Sequence, residues 1–243
     1  MLRKLTFSVL IFVLSGGVRA GRYEALLQRL DRAADMWDRD SLINVHDEVY
    51  EYYQLEEENE ARVLLGIADF WLSSYYWNSD RDSSKVYLEE FVEVVEEVPE
   101  EELTSDDLAF LGYCYNTLIP LRGFTSAPSL GKKSSDAFKR ARAKGPDNPR
   151  VYLLRGISVY RRPKSFGGGA GKALPLLNRS LELCNDDKGP VKWGKRVALV
   201  HKALALKDLG REDEALSVLK SAVAEFPDFG WANSLLARWS ERR

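Results

Sequence analysis

From residue 22 almost to the end of the chain, apolar residues recur every three to four positions, a period that fits helices and not strands. Tyr23, Leu26, Leu27 and Leu30 stand at i, i+3, i+4 and i+7. Leu42, Val45, Val49, Tyr52 and Tyr53 carry the spacing through a second segment, and Val63, Leu64, Ile67, Phe70, Trp71 and Tyr75 through a third. Residues three and four apart lie on one face of a helix, so each segment is apolar on one side. No stretch sustains the alternation that a half-buried strand needs. Polar breaks at Asp38-Arg39-Asp40, Asn78 to Ser84 and Pro99 to Ser105 separate the segments. This spacing predicts an all-α chain of about ten or eleven helices joined as antiparallel hairpins.

A unit recurs along this helical series. Over residues 196–229, Leu199, Ala203 and Leu206 share a face, and Leu209-Gly210 closes the first helix with a residue able to turn left-handed. Ala215, Leu219 and Ala222 face it from a second helix, and Pro227 stops that helix because it has no N–H to donate. Upstream, Tyr152, Gly156 and Val159 are followed by Ala173, Leu177 and Ser180. Leu108, Leu111, Gly112 and Tyr115 precede Ser134, Phe138, Ala141 and Pro146, and Gly66 and Phe70 precede Tyr87, Phe91, Val94 and Pro99. This order of small and large residues resembles the tetratricopeptide repeat, a helix hairpin of about 34 residues. Residues 196–229 match best, and the likeness covers roughly residues 58–243. Arg162 to Ala170 and Pro120 to Lys133 read as insertions. Phe-Gly-Gly insertions before a Lys-Ala-Leu helix, as at 166–174, are similar to those of exported bacterial repeat proteins. The resemblance implies hairpins stacked as a right-handed solenoid that binds a protein or peptide on its concave face. A more distant resemblance, to the repeat-built T component of TRAP-type transporters, implies a small apolar ligand instead.

Residues 1–20 have the three parts of a secretory signal peptide. Arg3 and Lys4 are positive, Leu5 to Leu14 is apolar apart from Thr6 and Ser8, and Val18-Arg19-Ala20 has small residues where a peptidase cuts. Gly17 stands where a lipoprotein would need Cys, so no lipid anchor is expected. The remainder reads as one domain: a helix pair at 21–57, degenerate repeats at 58–229 and a capping helix at 230–243. Export implies an oxidising compartment. Cys114 and Cys184 each fall inside a helical pattern, which points to two separate buried thiols, with one disulfide as the alternative.

The net charge is −2, but the two halves differ. Residues 21–107 hold 25 acidic and 7 basic residues, and residues 108–243 hold 12 and 25. Such asymmetry serves either steering of partners or packing of acidic against basic surface between copies, a route to a homo-oligomer; solvated helix faces are the bland alternative. The basic run Lys132, Lys133, Lys139, Arg140, Arg142, Lys144, Arg150, Arg155, Arg161, Arg162 and Lys164 has no interleaved stacking aromatics. With export, that excludes nucleic acid and favours an acidic partner, for which Arg155 and Arg162 are candidate contacts.

No motif carries catalytic chemistry. Ser165 to Lys172 is glycine-rich, but Phe166 and Ala173 stand where a phosphate loop needs Gly and a hydroxyl, and no strand precedes it. It reads as an inter-helix loop with Phe166 plugged into the core. Asn78, Asp80, Asp82 and Glu89 have the spacing of calcium ligands, but Ser83 replaces the turn Gly; Asp82, Ser83 or Ser84 reads as a helix N-cap. Asn178-Arg179-Ser180, a glycosylation sequon, falls within a predicted helix and reads as chance. His46 and His201 are isolated, so no metal, cofactor or catalytic residue is expected. The aromatic density from Tyr50 to Trp77 reads either as core or as a binding pocket lined by Tyr53, Trp71 and Tyr75. The expected role is therefore that of an exported non-catalytic scaffold.

Trp231, Leu235, Leu236 and Trp239 make one apolar stripe beside Arg238, Glu241, Arg242 and Arg243, the pattern of a helix that seals a solenoid end. A chain ending at Asp228 is expected to lose solubility. Size exclusion and thermal melting check this, and a monomeric truncation that melts with the full chain would exclude the capping role.

Overall fold

In this computed structural model, residues 21–56, 59–187 and 192–241 are described. The leader-type segment at 1–20 lies outside them. Among the described residues there are eleven α-helices and no strand. They are α1 (21–36), α2 (Arg39–Glu56), α3 (Asn59–Tyr76), α4 (Arg81–Glu96), α5 (Ser105–Arg122), α6 (Ala127–Lys144), α7 (Pro149–Arg161), α8 (Ala170–Cys184), α9 (Lys195–Asp208), α10 (Glu212–Glu225) and α11 (Gly230–Ser240). None of these helices is long and apolar enough to cross a membrane.

Local chemistry sets the helix starts. Thr104 accepts from the Asp107 N–H, and Asp107 accepts from the Thr104 N–H, a reciprocal box that opens α5. Asn148 caps α7 ahead of Pro149, where a missing N–H does no harm. Asp80 caps α4 by accepting from the Asp82 and Ser83 N–H groups at 3.2 and 3.1 Å. That corrects the expectation of a cap at 82–84: the helix begins earlier because Asp80 already has two donors within reach. The expected insertion at 120–133 is mostly helix as well. α5 runs through Pro120, and α6 starts at Ala127, so only a short 3₁₀ turn at Phe124–Ser126 joins them.

The helices stack as successive hairpins, and from α2 to α11 each packs on its chain neighbours. The small residues of the repeat sit at the contacts. A Cβ on Gly66 would lie 2.9 Å from Phe91 and 3.0 Å from Phe110, one on Gly112 3.0 Å from Phe138, and one on Gly156 3.0 Å from Leu177. Ala173, Ala203, Ala215 and Ala222 are fully buried. Gly210 has φ +75 after α9, the left-handed conformation expected of it.

The 163–169 loop departs from expectation in one respect. Phe166 is 66% exposed, so it does not plug the core. The tight return is real: Gly167 and Gly169 have positive φ, and a Cβ on Gly168 would lie 2.1 Å from the Arg162 carbonyl. Cys114 is a buried free thiol, as expected, while Cys184 is also free but only partly buried.

Two aromatic residues from the C-terminal half pack on α3 and α5. Trp193, just before α9, is buried and meets Phe70, Trp71 and Phe110 with centroids 5.3, 6.4 and 5.7 Å away. Phe229, just before α11, reaches Trp71 at 6.4 Å. These rings pack along α3 and α5.

Gly66→Val forces branched bulk against two rings that cannot both retreat, since Phe91 and Phe110 also pack on each other at 5.7 Å. It should destabilise the fold by about 1–3 kcal/mol, read as a lower midpoint in chemical denaturation.

Candidate functional site

Closure of the solenoid leaves a cup between its two ends. The cup has a volume of about 460 Å³. Asp35, Met36 and Trp37 come from the α1–α2 corner, Phe70, Trp71 and Ser74 from α3, Trp77 and Asn78 from the turn after it, Arg161 from the end of α7, and Gly230, Trp231 and Ser234 from α11. Aromatic rings dominate because α3, its following turn and α11 each contribute them to the wall. Trp37 is edge-on to Trp71 at 6.4 Å and tilted against Tyr75 at 5.5 Å. It is 44% exposed and has φ +52, a conformation rare for a bulky residue.

Trp71 is only 1% exposed, yet its indole N–H has no hydrogen-bond partner in the protein; the same holds for the Ser74 hydroxyl. Buried donors left unpaired are costly, and such groups mark places where something else completes them. Arg161 donates to the Tyr113 hydroxyl at 3.0 Å and lies over the Trp77 ring at 5.5 Å. No carboxylate lies within ion-pair distance of it among the described residues. Asp35, by contrast, is occupied by Arg196 at 2.6 Å.

Of the pocket residues expected from sequence, Trp71 lines the cup and Tyr75 stands behind Trp37. Tyr53 does not join them. It lines a separate cavity of about 270 Å³ with Tyr50, Gln54, Glu90, Glu93, Val94 and Glu97. Arg162 donates to Asn116 at 3.0 Å, and burial lowers its pKa, with Arg155 adding to that. Arg155 is half-buried on α7 and reaches no part of the cup. Sequence reasoning missed Trp37, Trp77, Arg161 and Trp231 as one group. Trp231 was legible only as part of an apolar stripe, and Arg161 only as part of a basic run.

A second convergence was invisible in the sequence. His46 of α2, Asp69 of α3 and Glu90 of α4 meet, although 23 positions separate the first two. His46 Nε2 is 3.0 Å from Asp69 Oδ1 and 3.7 Å from Glu90 Oε2. Burial opposes a charge on His46, but the Asp69 hydrogen bond and the charges of Asp69 and Glu90 outweigh it and hold its pKa above the ordinary value. Burial likewise raises the Asp69 carboxyl. Asp69 Oδ2 has no partner.

No known protein-family signature matches the sequence. No curated protein matches it either. Among solved structures, the HusA haemophore from Porphyromonas gingivalis is similar at 17% identity and a TM-score of 0.56, over 78% of this chain and 92% of that one. A thermophilic TPR protein of Thermus thermophilus is 17% identical with a TM-score of 0.49, over 82% and 98%. A mutant of MamA is 19% identical with a TM-score of 0.39, over 76% and 90%. At such identities the likeness concerns the fold alone.

His201 lies behind the cup, edge-on to Trp231 at 5.2 Å, with Nδ1 donating to the Val197 carbonyl at 3.0 Å. Burial, with the Arg161 charge adding, pushes its pKa down to about 3. The unfolded chain takes up this proton below about pH 6.5 and the folded one does not, so folding stability is lost as pH falls from there towards 3. The loss is on the order of a few kcal/mol. In urea titrations at descending pH, His201→Leu should flatten this dependence; an unchanged slope would show that His201 is not its source.

Proposed function

We propose that this chain is an exported, non-catalytic binding protein that holds its partner in the cup between α1, α3 and α11. Its fold is that of helical-repeat interaction scaffolds. The observation that carries the site is the pair of orphaned buried donors, Trp71 Nε1 and Ser74 Oγ, in a wall that also holds the Trp37, Phe70, Trp77 and Trp231 rings. Such a wall favours a flat apolar group, the two donors favour an acceptor on it, and the Arg161 guanidinium, bonded to Tyr113 but to no carboxylate among the described residues, favours an acidic substituent. Export rests on the charge, apolar run and small residues of positions 1–20.

A protein or peptide partner would place one aromatic or apolar side chain there. A free small molecule is the second reading, and the bounded form of the cup favours it, because a volume of about 300–1,000 Å³ suits a ligand of a few hundred daltons. That reading keeps the transporter-accessory role as a further proposal.

Native mass spectrometry of the protein from the exported fraction separates the two. An added mass of a few hundred daltons that is lost on unfolding identifies the small ligand; a polypeptide adduct identifies the protein partner. In either case Trp37→Ala and Arg161→Met should each weaken retention at least about tenfold, or about 1.4 kcal/mol. Retention unchanged in both variants would move the site elsewhere.

A further inference from the structure

We infer that His46, Asp69 and Glu90 form a binding site for a divalent transition-metal ion of the zinc type. The site is independent of the aromatic cup and was built by no local motif.

The donor geometry is the first support. One ligand atom from each residue lies within 4.8 Å of the other two. Around a tetrahedral zinc with bonds of about 2.0–2.2 Å, donors stand about 3.4 Å apart. The 3.0 and 3.7 Å separations from His46 Nε2 straddle that value. One imidazole and two carboxylates suit zinc and its neighbours in the first transition series. Calcium would need six to eight oxygens, which this cluster does not offer.

The second support is the orphaned atom. Asp69 is 1% exposed, and its Oδ2 has no hydrogen-bond partner. A carboxylate buried in the middle of a helix, half of it unsatisfied, is costly unless a cation completes it. The His46 imidazole, 3.0 Å from Oδ1, reaches that oxygen only.

The surroundings have the features of a supported site. His46 Nδ1 faces the Asp47 carboxylate at 3.4 Å, which leaves Nε2 directed at Asp69 and Glu90. A carboxylate behind a ligating imidazole fixes its orientation and strengthens it as a donor. Tyr87 lies edge-on to His46 at 5.1 Å and screens one side from water. Access comes from the other side. Glu90 also lines the 270 Å³ cavity, whose rim carries Glu93 and Glu97. That cavity, lined by three carboxylates, is a negatively charged approach for a cation. The three protein ligands come from three successive helices, so the ion would tie α2, α3 and α4 together.

The competing account is a buried ion pair, in which protonated His46 alone offsets the carboxylates. Chelator-treated full chain titrated with zinc sulfate by calorimetry decides between them. One zinc per chain, with Kd at or below about 1 μM, is expected. Glu90→Gln, at a partly exposed position, should keep the far-ultraviolet spectrum and weaken binding at least about tenfold. His46→Gln should weaken it at least about 100-fold, beyond the loss typical of a supporting residue. If His46→Gln does not fold, the Glu90→Gln comparison decides alone. Binding weaker than about 100 μM in the wild-type chain, or unchanged zinc affinity in folded Glu90→Gln, overturns the site and leaves the ion pair.

Discussion

Arg196 of α9 reaches back to α1, donating to Asp31 and Asp35, residues 165 and 161 positions earlier. Its guanidinium also lies over Phe229 at 4.8 Å and Trp71 at 5.7 Å. This one side chain joins the last repeat to the N-terminal helix pair. The cup exists because of that closure, since its walls come from α1 and α3 at one end and α11 at the other. A buried ion pair adds little net stability, because desolvation offsets its attraction. Its value here is register: it fixes which faces of two distant helices oppose each other, and the Trp71, Trp193 and Phe229 rings then fill the gap.

Part of the charge asymmetry is matched within the chain. Acidic helices of the N-terminal half meet basic ones of the C-terminal half in Arg122–Glu89, Lys133–Glu96, Arg140–Glu100 and Arg196–Asp31 pairs. Arg150, 3% exposed, is held by Asp106 and Asp187. Most of the exposed pairs contribute little singly. Together they provide complementarity between successive hairpins. Arg161 stands apart from this network, which is why it marks the cup.

The two convergences also differ in kind. In the cup, apolar rings and unpaired donors are held open by a frame of helix ends. At His46, charged groups are drawn together inside a three-helix contact, where each would be unfavourable alone. Both depend on the spacing set by Gly66 and its counterparts, which lets α3 sit close enough to α4 and α5 for side chains to meet.

The sequence by itself determined the helices, their number, the hairpin order and the small residues at the contacts, because all of these follow from periodicity within about 34 residues. Gly66, Gly112, Gly156, Ala215 and Ala222 were legible for that reason. It did not determine the capping residue of α4, where Asp80 and its neighbours are equally good formers of a first turn, nor the exposure of Phe166, which depends on how the glycine loop lies. The tertiary structure alone decided that Trp71 stands in a cup while Tyr53, on the preceding helix, faces a different cavity. It alone brought His46 to Asp69 and Glu90, and Arg196 to Asp31. Helical periodicity specifies which face of each helix is buried, but not which distant helix covers it; that is set by the curvature accumulated over the stack.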